Sequence, residues 1–283
     1  MADLSPTIRQ RELGMRLREF RTAKGLTVED VANELLCSPT KISRAETGAR
    51  RATLRDVRDL CQIYGVDAET SAELMELARE ARQPSMWAKF TKLDDLKITP
   101  FINMEQDATA ITCFGMYFFP GLLQTEDYAR EIIKGIVPKI EEDVLDEFVE
   151  ARMLRQKLLY RPKPPKYRAV LDEAVLHRQV GGPPVMKAQL EKVLSLMREE
   201  RAAVQVIPYE VGAYGAIDSN FDYLEFAGTM LPGLVFVESL ASCFYLERPE
   251  ELERYREALD YLRDEALNPR DSARKIEEIR DKL

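Results

Sequence analysis

The stretch 25–51, Gly-Leu-Thr-Val-Glu-Asp-Val-Ala-Asn-Glu-Leu-Leu-Cys-Ser-Pro-Thr-Lys-Ile-Ser-Arg-Ala-Glu-Thr-Gly-Ala-Arg-Arg, constrains the fold more than any other part of the chain. It holds two short helices, each with a marked start. Thr27 followed three residues later by Asp30 has capping-box spacing, which satisfies free amides of a first helical turn. Ser38 followed by Pro39 marks a second start, because proline at the first helical position has no amide to leave unpaired. Leu35-Leu36-Cys37 makes a tight turn between the two, and Gly48 is suited to ending the second helix at positive φ. Val31, Ala32 and Leu35 line one face of the first helix; Ile42 and Ala45 line one face of the second. The other face of the second helix carries Thr40, Lys41, Ser43 and Arg44. A short helix with a small apolar underside and a polar, cationic top suits the major groove of double-stranded DNA.

These residues resemble the Xre-type helix-turn-helix shared by phage repressors and many bacterial regulators. The resemblance rests on Leu-Thr-x-Glu-Asp-Val-Ala (26–32), on Ser-x-x-x-Ile-Ser-Arg-x-Glu-x-Gly (38–48), and on the basic residues after the glycine. It covers about 11–81 and implies an all-α, five-helix, lambda-repressor-like DNA-binding domain. One departure is Val28, where the family commonly has a glutamine that touches a phosphate. Arg44 is expected to read a base: it sits one turn after Thr40 and Lys41 on the exposed face, and its planar fork matches both major-groove acceptors of guanine. Arg50 and Arg51 are better placed for phosphates, which give affinity and register but not sequence. Thr27, Ser38, Pro39 and Ser43 complete the expected DNA-facing set, although capping alone accounts for Thr27 and Ser38. The plain alternative is a helical hairpin with a solvated arginine at 44. An acidic residue in a DNA-facing helix should repel phosphate. The family pattern makes Glu46 internal instead, paired with an arginine near the end of helix 1 that falls here on Arg21.

Charge is placed to match. The 283 residues carry a net charge of −8, which argues against a protein that coats nucleic acid indiscriminately. Between positions 9 and 58 there are twelve Lys/Arg and seven Asp/Glu, a local +5, so the remainder carries −13. A basic head on an acidic body suits a regulator that touches DNA at one end. Cys37, Cys61, Cys113 and Cys243 lie far apart and His177 is the single histidine, so neither a zinc site nor a disulfide framework is expected. The start, Met-Ala-Asp-Leu-Ser-Pro, is unlike a signal peptide. The most apolar run, 110–123, is broken by Thr112, Gly115, Pro120 and Gly121, so no membrane span is expected and the cytoplasm is the default location.

Length and pattern imply two domains. After a loose arm at 1–8, helices are expected over about 10–24, through the two of 25–51, from a Thr53/Asp56 capping box to about 64, and after Asp67 to about 81. Gln83-Pro84-Ser85 interrupts the pattern, so the domains are 1–83, a connector at 84–100 in which Trp87 and Phe90 serve as packing anchors, and 101–283. The second domain opens with a plausible helix at 102–110 and a buried strand at 110–119. Further strands are expected at 167–171, 204–208, 222–226, 234–238 and 243–246. Helices are expected at 125–135, 141–160, 173–179, 184–201, 249–267 and 269–283. The whole is α+β: a helical head followed by a larger mixed α/β effector or partner domain with one mixed sheet. The second domain, with long helices such as the one after Pro249 that carries Leu252, Tyr255, Leu259 and Leu262, is expected to supply most of a dimer contact.

The second domain carries its own resemblance, spread over Pro-Gly-Leu-Leu-Gln-Thr-x-x-Tyr-Ala (120–129), Ala-Arg-x-x-Arg-Gln (151–156) and Leu-Asp-Glu-Ala-x-Leu-x-Arg-x-Val-Gly-Gly (171–182). Met-x-x-Gln-Leu (186–190), Val-x-Val-Ile-Pro (204–208) and Phe-Val-Glu (236–238) add to it. It is similar to the domain of unknown function fused to Xre-type modules in WhiJ-like actinomycete regulators, over about 115–274. The resemblance implies a transcription regulator, with antitoxin-like behaviour beside a small partner protein as the alternative role. It brings no established ligand.

No catalytic constellation stands out. Asp172, Glu173 and His177 lie close enough for acid–base work, but no motif marks a nucleophile, and no glycine-rich phosphate loop or metal set accompanies them. No cofactor is expected. Gln124, Arg155, Gln156, Glu173, Gln189 and Glu238, polar residues within apolar stretches, either line a pocket for a small-molecule effector or form a buried hydrogen-bonding network.

Overall fold

The computed structural model describes residues 8–82, 86–90, 92, 98–231, 233–239 and 242–283. All but the last residue of the arm expected at 1–8, the break at Gln83-Pro84-Ser85 and most of the connector lie outside the described residues. The chain divides into two compact units. One takes in the chain up to Lys89 together with Thr99–Asp107 and 228–232; the other takes in 90–98, 108–227 and 233–283. Within the first unit the helix Thr99–Asp107 packs against the first helix of the chain.

The first unit contains α1 (Ile8–Ala23), α2 (Val28–Glu34), α3 (Pro39–Glu46), α4 (Leu54–Tyr64), α5 (Ala68–Glu80) and α6 (Thr99–Asp107). Its starts are set by side chains: the hydroxyls of Thr27 and Thr53 and the Asp67 carboxylate accept amides of the first turn, and both threonines complete capping boxes. Each such cap contributes about 1 kcal/mol. Leu13, Leu17, Val31, Ile42, Val57, Leu60 and Leu74 form one buried cluster between the helices. Leu36, in the turn between α2 and α3, has φ +50° and is 94% exposed, so nothing apolar depends on it.

The second unit is built on a six-stranded sheet of β1 (Ala110–Gly115), β2 (Lys166–Asp172), β3 (Ala203–Ile207), β4 (Phe221–Glu225), β5 (Gly233–Glu238) and β6 (Cys243–Leu246), in the order β3-β2-β1-β4-β5-β6. β1, β2 and β3 run parallel, and β4, β5 and β6 continue antiparallel from β1. Parallel neighbours need crossovers. Here these run through α7 (Glu126–Ile136) and α8 (Glu142–Gln156), then through α9 (Ala174–His177) and α10 (Pro183–Arg198). β1 stops at Gly115, short of the expected 119, where the Met116 amide leaves the ladder and donates to the Asn220 side chain (2.7 Å).

One sheet face carries Phe114, Val170, Ile207, Phe221, Tyr223 and Val235, packed with Leu252, Leu259 and Leu262 of α11 (Pro249–Glu265). The α11 stripe is used inside its own unit, with Leu252 and Leu262 at 2% and 0% exposure, so these leucines are not the part of the second domain that could meet a partner copy. α12 (Pro269–Arg280) packs on β3 and closes its edge. There the Val206 amide donates to Ser272 Oγ (3.0 Å), and the Val206 carbonyl accepts from the Leu267 amide (2.9 Å). All four cysteines are free. No helix among the described residues is long and apolar enough to cross a membrane.

Gly14 is the tightest point of the head. A Cβ there would lie 2.4 Å from the Glu46 carbonyl oxygen, so α1 and α3 touch through backbone. In an open helix Gly→Ala stabilises by about 1 kcal/mol; here steric displacement opposes it at about 1–3 kcal/mol. Gly14→Ala is therefore expected to lower the melting temperature of the first unit. An unchanged or raised melting temperature would show that the approach is loose.

Candidate nucleic-acid interface

The sequence places α3 by capping one end and burying one face. Ser38 Oγ accepts the Lys41 amide (3.3 Å), Pro39 opens the helix, and Gly48 at φ +73° leaves it. Ile42, Ala45 and Glu46 are buried, which turns Thr40, Ser43 and Arg44 outward as exposed residues. Thr27, Ser38, Pro39 and Arg50 are exposed as well, and Arg51 is half-buried. The Arg50 amide donates to the Arg44 carbonyl (2.8 Å), so the basic pair begins directly under the end of α3. Lys41 sits differently from its expected outer face: its ammonium donates to Asp56 of α4 (2.6 Å) and is partly buried. Burial alone would push the Asp56 carboxyl up, but Lys41 and the Thr53 amide and hydroxyl outweigh it and hold it below the usual range.

Arg21 and Glu46 meet in the interior. Arg21 Nε and Nη2 donate to the two carboxylate oxygens of Glu46 at 2.6 and 2.9 Å, and Nη1 donates to the Leu26 carbonyl at 2.7 Å. The hydrogen bond to Glu46 is the main cause of a guanidinium pKa raised above its ordinary value. Tyr64, which the sequence did not single out, belongs to the same environment. Burial and then the Glu46 charge push its phenol up, and its hydroxyl is buried without a hydrogen-bond partner among the described residues.

In the second unit the six polar residues do not share one site. Gln124, Gln156 and Gln189 converge on the segment 119–125. Gln124 Nε2 donates to the Phe119 carbonyl (2.6 Å), and Gln156 Nε2 donates to the carbonyls of Gly121 (3.0 Å) and Gln124 (2.7 Å). Gln189 Nε2 donates to the Leu123 carbonyl (2.8 Å), and its oxygen accepts the Thr125 amide (2.7 Å). Arg152 donates to the Gln124 side chain, and Lys192 donates to Gln156 Oε1 and the Gln124 carbonyl. Burial lowers the Lys192 pKa. Arg155 is buried on the same helix as Gln156. Arg152 entered the sequence reading only within the 151–156 motif and Lys192 not at all, because long cations on a helix usually mark a solvated face.

Glu173 lies elsewhere, at the end of β2, where it accepts the Tyr209 amide (3.0 Å) and Lys275 (2.9 Å) and lies 3.1 Å from His177 Nε2. Asp172 beside it accepts the Tyr214 hydroxyl and the Ala174 amide. Glu238 is exposed at the end of β5, apart from all of these.

With the fold and these contacts in place, residues 98–278 match the family described as a domain of unknown function, DUF5753. The chain belongs to the DUF5753 family. Residues 12–74 match a helix-turn-helix domain, the segment that carries α3 and its caps. A comparison with curated proteins found no match. A helix-turn-helix head joined to a DUF5753 unit points to a DNA-binding regulator, α+β overall.

Two outcomes follow from the ion pairs. Arg21→Ala leaves Glu46 as a buried, unpaired charge, a loss of about 3–5 kcal/mol; adding Glu46→Gln should recover part of it, and thermal melting measures both. Burial alone would raise the Glu173 pKa, but the Tyr209 amide, Lys275 and His177 outweigh it and hold it below the ordinary glutamate range. A lowered folded pKa gives stability that is present above the unfolded value and lost as pH falls through the folded one. Glu173→Gln should therefore be less stable than wild type at neutral pH and should flatten the acid limb of the stability profile. Parallel acid limbs in the two proteins would refute the assignment.

Proposed function

We propose that the chain is a sequence-specific transcription regulator of the Xre type, acting in the cytoplasm on a palindromic operator as a homodimer. Its DUF5753 unit then receives a small-molecule or protein signal. The observation that carries the first part is α3: Thr40, Ser43 and Arg44 stand exposed opposite a buried Ile42/Ala45 face. Arg44 reads a guanine edge, and Arg50 and Arg51 hold phosphates at the helix end, with hydroxyls of Thr27 and Ser38 adding to the backbone contacts. Lys41 joins them by exchanging Asp56 for a phosphate. A single recognition helix reads too few base pairs to select one genomic site, which is the reason for a two-fold pair. The surfaces that pair the two copies lie outside the buried α11 stripe.

Arg44→Ala should relax preference at one base position, by about 1–3 kcal/mol. Arg50→Ala and Arg51→Ala should weaken all sequences alike and shallow the salt dependence by about 0.9 for each phosphate no longer neutralised. Binding-site selection with titration at several salt concentrations measures both. A uniform loss in all three variants would remove Arg44 from base readout, and sedimentation showing one chain per selected palindrome would remove the dimer.

A further inference from the structure

In the DUF5753 unit, the face of β2 that carries Val170 and Asp172 carries Lys166 and Arg168 at its other end, by strand alternation. They line an open cleft of about 460 Å³ between the start of β2 and the turn joining α10 to β3. That volume falls within the roughly 300–1,000 Å³ of small-molecule sites. The turn contributes Glu199, Glu200 and Arg201.

The cations here are unusual for this chain. Positions 151–171 hold seven Lys/Arg and no Asp/Glu, within a protein of net charge −8. Elsewhere in the unit Arg130, Arg198, Arg248, Arg256 and Arg280 sit on carboxylates. Lys166 and Arg168 have no such partner among the described residues. The Arg201 guanidinium lies 5.1 Å from the Tyr160 ring centroid and donates to the Leu159 carbonyl, while its buried Nε has no acceptor among the described residues. The turn is held by backbone bonds, from the Glu200 amide to the Met197 carbonyl (3.1 Å) and from the Arg201 amide to the Leu196 carbonyl (2.9 Å). Glu200 itself has φ +56°, a position where glycine is the easier residue.

Two opposing charges decide the ligand. Three neighbouring cations favour a group with more than one negative charge, and arginine matches phosphate bidentately. A continuous polyanion such as a DNA backbone would run onto Glu199 and Glu200 and be repelled. A short ligand meets the same carboxylates as hydrogen-bond acceptors for hydroxyls. We propose that this cleft binds a phosphorylated small molecule bearing hydroxyl groups, with its phosphate on Lys166, Arg168 and Arg201 and its hydroxyls on Glu199 and Glu200. This rests on the reading of the unit as a signal receiver and gives that signal a chemical class.

The test is calorimetric titration of the full chain at low salt with inorganic pyrophosphate and with ribose 5-phosphate. Both should bind in the millimolar range or tighter, and Lys166→Glu with Arg168→Glu should weaken both by at least about tenfold. The same variant must melt like wild type; the milder Lys166→Gln with Arg168→Gln serves if it does not. Glu200→Gln should weaken ribose 5-phosphate relative to pyrophosphate, which carries no sugar hydroxyls. Absence of binding by both probes, or binding indifferent to the charge changes, would overturn the proposal. So would charge reversal that spares the probes and shallows the salt dependence of duplex binding, which would make the cleft a DNA-backbone contact. Probe binding with unchanged operator affinity would keep the site and remove its signalling role.

Discussion

The pair formed by Arg21 and Glu46 governs how the head presents α3. Removing two charges from water costs several kcal/mol for each ion, repaid only where geometry is good and remaining donors are satisfied. Arg21 meets that condition with a two-pronged bond to Glu46 and a third to the Leu26 carbonyl, so one side chain ties together α1, α3 and the approach to α2. A lysine, a point donor on a flexible stem, would not fix the same angle. Gly14 adds a second restraint two turns earlier on the same face of α1, since α1 can lie on the Glu46 carbonyl only without a Cβ. The exposed row of Thr40, Ser43 and Arg44 is aimed by contacts that never touch DNA.

The DUF5753 unit solves a comparable problem with neutral groups. The segment 119–125 has to pass through the interior, and its carbonyls need donors. Three glutamines from α8, α10 and the segment itself supply them, with Arg152 and Lys192 completing the set. Sequence motifs at 120–129, 151–156 and 186–190, far apart in the chain, thus meet around one stretch of backbone. Their shared composition reflects that meeting, whatever ligand the unit takes.

Legibility in the sequence followed the range of the interaction. Helix starts at Thr27, Ser38, Thr53 and Asp67 were readable because a cap is a local bond over three residues. Strands rich in β-branched and aromatic residues were readable for the same reason, and the resemblance supplied Arg21 and Glu46 as partners. Contacts across the chain left little local signal. Lys41 gave no hint of reaching Asp56, and Gly14 looked like any helical glycine. The apolar stripe of α11 is compatible with a partner chain or with its own sheet, and only topology chooses. Five of the six polar residues of the second unit are buried as their apolar surroundings suggested and Glu238 is exposed, but their division among three places depends on which strand ends lie together.

The closing of the sheet by α12 has a consequence for synthesis. Val206 on β3 finds partners for both its outward backbone groups in Leu267 and Ser272, some sixty residues further on. On the ribosome, the parallel half of the sheet therefore keeps an open border long after its strands have emerged. A nascent chain halted before Ser272 exposes a raw strand edge to its neighbours, the condition under which sheets recruit strands from other molecules. The edge of β3 is thus sealed only when α12 is in place.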